Sequence, residues 1–133
     1  PWVTYHENGQ LGIKGNFKNG KYEGSWVYYY KSGRLMSKAS YRNGKLHGVA
    51  LTYWKNGKIS FKETIRNGIR NGPFYSYHEN GRLSAEGSYK EAKRWGPWIF
   101  YNSNGSKSLK PMIIGNRVLH EGSGTYKNGV KVN

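Results

Sequence analysis

Tyrosine occurs at positions 5, 29, 53, 77 and 101, and glycine at 9, 33, 57, 81 and 105. Two complete columns at one spacing of 24 residues constrain this chain more than any other feature. A second glycine column runs 24, 48, 72 and 96, and a third runs 20, 44 and 68 before Ala92 interrupts it. Periods of about 20 to 50 residues belong to arrays in which each unit is one supersecondary element that buries its apolar surface against its neighbours. Composition fits that arrangement. Only 35% of residues are hydrophobic, too few for a rounded aliphatic core, while 12 Tyr, 5 Trp and 4 Phe supply flat rings.

Each unit reads as a β-hairpin plus the turn into the next. The segment Gly24-Ser25-Trp26-Val27-Tyr28-Tyr29-Tyr30 is rich in strand formers. Lys31-Ser32-Gly33-Arg34 makes a turn, a second strand follows from Leu35 to Arg42, and Asn43-Gly44 turns again. Asn-Gly pairs begin at 8, 19, 43, 56, 67, 71, 80, 104 and 128. The pair suits type I′ turns, because both residues accept positive φ. Two turns per unit leave strands of about six residues. The expected fold is all-β: an elongated, single-layer antiparallel meander of about five tandem 24-residue hairpins. The units fall at about 1–23, 24–47, 48–71, 72–95 and 96–133 and together span roughly 50 Å. Gly9 precedes Phe17 by 8 residues, whereas Gly105 precedes the equivalent Tyr126 by 21. An insertion near 110–122 therefore interrupts the last unit, as a cap on the sheet end or as a contact loop.

Side chains alternate between the faces of a strand. By even spacing, Val3, Val27, Leu51, Tyr75 and Ile99 share a face with the tyrosine column Tyr5, Tyr29, Tyr53, Tyr77 and Tyr101. Leu11, Leu35, Ile59 and Leu83 are placed with them, as are Phe17, Tyr41, Ile65 and Tyr89, in one aromatic stripe that holds the array together. The opposite parity is basic: Lys18, Arg42, Arg66, Lys90 and Lys127 in one column, and Lys14, Lys38, Lys62 and Lys110, broken by Glu86, in another. Arg34, Lys58 and Arg82 form a third at the hairpin turn. A solvated, aggregation-resistant face needs charge but not one sign in every unit. These cations are therefore candidates for binding a partner. Trp2, Trp26, Ala50, Phe74 and Trp98 lie off the tyrosine parity, either folding over the neighbouring unit or lining a groove.

With 22 Lys and Arg against 7 Asp and Glu, the formal net charge is +15. Such a field favours acidic partners: an acidic protein or assembly neighbour, anionic lipid, or nucleic acid. No apolar run is long enough to span a bilayer and no signal peptide is visible. The chain opens at Pro1, which leaves room for an upstream segment; a cytoplasmic location is the expectation, with host and compartment open. There is no cysteine.

Catalytic chemistry is not visible. His-Glu steps at 6–7, 78–79 and 120–121 place neighbours on opposite faces, which argues against a shared metal site. His6 and His78 share a column with Tyr30, Trp54 and Asn102, which reads as one that tolerates any sizeable side chain. No serine has a positioned base, and no glycine cluster has phosphate-loop spacing. The expectation is a protein without enzymatic activity, cofactor, metal or small-molecule substrate.

Tyr77-His78-Glu79-Asn80-Gly81-Arg82-Leu83 with Gly87-Ser88-Tyr89 is similar to MORN-repeat variants. So is Tyr5-His6-Glu7-Asn8-Gly9-Gln10-Leu11 with Gly15-Asn16-Phe17-Lys18-Asn19-Gly20-Lys21. In bacteria such arrays are grouped with a YwqK-like antitoxin family. The resemblance implies an elongated antiparallel sheet used as a scaffold or contact surface, in some cases at phospholipid, and the antitoxin grouping implies neutralisation of a cognate toxin by binding. Gly96 to Gly105 also resembles cell-wall choline-binding repeats, whose period is shorter.

Overall fold

The computed structural model describes residues 1–109, 112–114, 117–120 and 122–133. Among them there is no helix. The strands of the first two units are β1 (Trp2–Tyr5), β2 (Leu11–Lys18), β3 (Lys21–Tyr29) and β4 (Leu35–Arg42). The middle of the chain forms β5 (Lys45–Leu46), β6 (Gly48–Tyr53), β7 (Ile59–Arg66), β8 (Ile69–Tyr77) and β9 (Leu83–Lys90). The last unit supplies β10 (Lys93–Tyr101), β11 (Lys107–Ser108), β12 (Met112–Ile114), β13 (Arg117–His120), β14 (Gly124–Lys127) and β15 (Val130–Lys131). Thirteen of these form one open antiparallel sheet in the order β1-β2-β3-β4-β6-β7-β8-β9-β10-β14-β15, with β5 on β4 and β11 on β10. The chain is a meander in which strands pair with their sequence neighbours except where β4 pairs past β5 with β6 and β10 pairs past the insertion with β14.

Interior strands other than β6 run eight or nine residues rather than about six. The difference lies at the Gly24 column. Gly24 and Gly72 stand within β3 and β8 with φ of 69° and 128°, so the strand kinks there and continues instead of turning. The Asn-Gly pairs also divide by geometry. Those beginning at 19, 43, 67 and 128 are type I′ turns, with the Asn at φ 50–52°. Those at 8, 56, 80 and 104 close a longer turn in which the Asn carboxamide accepts the N–H two residues on, as from Gln10 to Asn8 at 3.0 Å. Asn71-Gly72 lies inside β8 and turns nothing.

A β-bulge in each of the first four hairpins reassigns the faces. Tyr28 faces Ser37 while Tyr29 faces Leu35, leaving Met36 extra. The same shift falls between Thr4 and Tyr5, Thr52 and Tyr53, and Ser76 and Tyr77. One extra residue reverses the parity of all that follows. Phe17, Tyr41, Ile65 and Tyr89 therefore lie on the face opposite the tyrosine column and share it with the tryptophans. This corrects the single aromatic stripe expected from even spacing.

That indole face carries the core. Its central row runs Trp2, Gly15, Trp26, Ala39, Ala50, Glu63, Phe74, Gly87, Trp98 and Gly124, large and small alternating at both ends but not at Ala39-Ala50 and Glu63-Phe74. Trp26 and Trp98 lie flat over glycines, and a Cβ on Gly15 or Gly87 would come within 2.1 or 2.2 Å of the ring of Trp26 or Trp98. Both indoles are 1% exposed and donate to Asn16 O at 3.1 Å and Ser88 O at 2.9 Å. Phe17, Tyr22 and Tyr41 pack around Trp26, and Phe74, Tyr89, Phe100 and Tyr126 around Trp98. The tryptophan column is thus a packing column. Tyr29, Tyr53, Tyr77 and Tyr101 are half-buried on the other face, and Tyr5 is exposed.

In the last unit Tyr126 faces Gly96 as Tyr41 faces Gly24. β11 and β14 divide the strand that pairs with β10, and β12 pairs with β13 as a separate hairpin between them. Whether this insertion caps the sheet or makes contacts depends on side chains outside the described residues, as does Lys110.

Candidate interaction surfaces

The second face is built by the register itself. Val3, Lys14, Val27, Lys38, Leu51, Lys62, Tyr75, Glu86 and Ile99 stand opposite one another across nine strands. The column Lys14, Lys38 and Lys62 thus interleaves with the aliphatic column. It does not oppose that column, as parity alone had suggested. Four residues along each strand, Lys18, Arg42, Arg66 and Lys90 lie on this same face beside the type I′ turns, and Lys127 flanks the last such turn. Lys18 pairs with Lys21, Arg42 with Lys45, and Lys90 with Lys93, which doubles the charge along that margin. All these cations are exposed. Val49 and Ile69 are exposed among them. Lys90 Nζ sits 4.5 Å over the ring of Trp95, a cation–π contact that leaves its charge intact. Among the described residues one ion pair forms, Arg70 to Glu63 at 2.6 Å, and it lies on the indole face. No ion pair involves the cations of these rows among the described residues, although Glu23 and Glu86 stand on the same face and Glu91 lies in the turn beside Lys90.

The third basic column behaves differently. Arg34 Nη1 donates to Lys55 O at 3.3 Å, Lys58 Nζ donates to Asn80 O at 3.2 Å, and Arg82 Nη1 donates to Asn104 O. Each cation reaches the backbone of the next unit, so these residues staple turn to turn. Asn8, Asn56 and Asn80 do the same through Nδ2, each 2.8 Å from a carbonyl 23 residues on. The column of His6, Tyr30, Trp54 and His78 has one shared requirement: the tip must donate to the carbonyl of the next unit's tyrosine. The distances to Tyr29, Tyr53, Tyr77 and Tyr101 O are 2.8, 2.7, 3.1 and 2.9 Å. Sequence reading saw side chains with nothing in common but size. The usable signal was that every one of them carries an N–H or O–H at its far end.

A further column was missed. Tyr22, Leu46, Arg70 and Arg94 lie one step inside the type I′ turns, and Tyr22, Arg70 and Arg94 reach over the aromatic row. Tyr22 stacks on Trp26 at 4.1 Å. Arg70 lies 5.3 Å from the Tyr89 ring, and Arg94 lies 5.3–5.7 Å from the rings of Trp98, Phe100 and Tyr126. Glu63 answers Arg70, and Gly87 stands at the equivalent place one unit later.

Two phenols are perturbed. Burial pushes Tyr28 above the ordinary value of 10.0, with Tyr41 and Tyr22 alongside. Burial and the Glu86 carboxylate do the same to Tyr101. No group of three or more His, Cys, Asp or Glu that could hold a metal is found among the described residues, and no helix there is long and apolar enough to cross a membrane.

The model of the MORN repeat variant matches residues 1–19, 22–43, 46–67 and 70–91, four tandem repeats over most of the chain. The chain belongs to the MORN repeat variant family. No curated protein matches it. MORN repeats are non-enzymatic modules generally associated with binding proteins or membrane lipids. Each match ends on or beside a type I′ turn, at Asn19, Asn43, Asn67 and Glu91, so the MORN unit corresponds to the hairpin whose long loop carries the staples.

Proposed function

We propose that this MORN array is a non-enzymatic interaction module that binds an acidic protein through its basic face. The observation that carries this reading is convergence. Two independent cationic columns, Lys14, Lys38 and Lys62 with Lys18, Arg42, Arg66 and Lys90, share one exposed face with Val27 and Leu51 between them. Apolar strips between like charges suit an amphipathic acidic partner, whose carboxylates meet the cations while its apolar side chains cover the aliphatic row. The turn cations Arg34, Lys58 and Arg82 contribute field but are engaged in stapling.

The test is affinity capture with the wild-type chain and a variant carrying Lys18→Glu, Arg42→Glu, Arg66→Glu and Lys90→Glu, with circular dichroism confirming the fold. Acidic proteins should be captured by the wild type and lost from the variant, and recovery should fall as salt rises. An unchanged captured set would sink the proposal. A second reading, attachment to anionic membranes, is favoured by exposed Val49, Ile69 and Tyr75 on the same face. Flotation with vesicles containing phosphatidylserine should then exceed flotation with neutral ones. Antitoxin activity and binding to nucleic-acid backbone draw on the same charge, and no separate feature of the face favours either.

A further inference from the structure

In each of the first four units, the residue one step inside the type I′ turn follows a member of the central row by seven positions. The pairs are Gly15 with Tyr22, Ala39 with Leu46, Glu63 with Arg70, and Gly87 with Arg94. The first two pairs carry no charge, and the third is an ion pair at 2.6 Å. Arg94 is the only one of the four whose charge its row does not balance.

Trp98 accounts for the difference. Its indole lies flat over Gly87, where a side chain has no room, whereas the smaller Phe74 leaves space for Glu63 beside it. Arg94 lies over the rings of Trp98, Phe100 and Tyr126. Among the described residues it meets no carboxylate, and its Nε is buried without an acceptor. Ring faces attract a guanidinium, but they supply no lone pair to a buried N–H.

Arg94 also lines an open cavity of about 270 Å³ on the indole face, walled by Phe74, Tyr89, Trp98 and Phe100. Polar side chains on its wall are already engaged. Ser76 and Ser84 bond to each other at 2.7 Å, His78 Nε2 lies 2.9 Å from Tyr101 O, and Asn102 donates to Ser106 at 2.9 Å. Arg94 is left to recognise a ligand. The volume falls just below the range of about 300–1,000 Å³ that holds drug-sized molecules.

We propose that this cavity is a binding site for a small organic acid, whose carboxylate pairs with Arg94 and whose apolar body lies among the rings. The argument is charge complementarity: the ligand brings to Arg94 the acid that Glu63 brings to Arg70 from within the sheet. The site lies on the face opposite the basic columns and does not depend on them.

The test is a ligand-observed NMR titration with phenylacetate, its neutral analogue phenylacetamide, and the capped peptide acetyl-Leu-Glu-Leu-amide. Phenylacetate should bind and move the Trp98 indole N–H signal, identified by its loss in Trp98→Phe. Exchanging the acid for the amide, or Arg94→Gln, should each weaken binding about 10-fold. Gly87→Glu added to Trp98→Phe rebuilds the arrangement of Glu63 and Phe74. It should raise Tm by about 4 °C over Trp98→Phe alone and abolish the phenylacetate binding that Trp98→Phe retains. That pair of variants decides the matter even where Arg94→Gln fails to fold. Amide binding as strong as acid binding, or no binding of either, would overturn the proposal. So would phenylacetate binding that survives Gly87→Glu, or a Tm that does not rise. Binding of the peptide alone would make the occupant a partner's side chain, and would also overturn it.

Discussion

Gly15 and Gly87 hold no side chain because an indole fills the space where one would stand. Replacing Gly87 with Ala drives a methyl into the plane of Trp98, and only a backbone shift can relieve it. Gly87→Ala should destabilise the fold by about 2 kcal/mol, measured by urea denaturation, whereas Ala at the exposed Gly9 meets no atom and strains only its own turn. The two raised phenols set a pH limit. Tyr28 and Tyr101 ionise less readily in the fold than in the unfolded chain. Their contribution is therefore complete below pH 10 and is lost as pH rises through their folded values. Thermal melts above pH 10 should show stability falling, and the double variant Tyr28→Phe, Tyr101→Phe should fall less steeply.

At the scale of the hairpin, five type I′ turns among the described residues do the same work, four as Asn-Gly and one as Glu91-Ala92. Ala92 sits at φ 71°, where a Cβ is crowded by the backbone. Ala92→Gly should stabilise the protein by about 1 kcal/mol, visible as a raised denaturation midpoint at constant slope. Hairpins and turns were legible in the sequence because Gly, Asn and aromatic side chains mark them at fixed phase. The faces were not. Alternation holds only while the ladder is regular, and the extra residue at Gly12, Met36, Ser60 or Ser84 reverses it without any change of residue type to announce it. Hence the basic columns were rightly seen as recurring, while the residues facing them were misassigned. The stapling role of Arg34, Lys58 and Arg82 was hidden for another reason: a cation bonded to a carbonyl reads from sequence like one in solvent.

For the whole molecule, +15 charges on one sheet repel through water. Screening shortens that repulsion from about 30 Å at 0.01 M salt to about 3 Å at 1 M. Tm should therefore rise as sodium chloride is added over this range, while affinity for an acidic partner falls. Opposite signs in the two titrations would separate self-repulsion from recognition; a Tm that fell alongside affinity would contradict this account.

Every added strand also rotates the next by about 20–25°. Successive cations of one column, two strands apart, consequently turn by about 45° as they advance roughly 10 Å. From Lys18 to Lys90 the column winds through more than a third of a full circle, like a thread on a screw. A flat, stiff partner can touch only one or two of its cations at a time. A pliable acidic ribbon can follow all four, and its length then counts the repeats it has crossed.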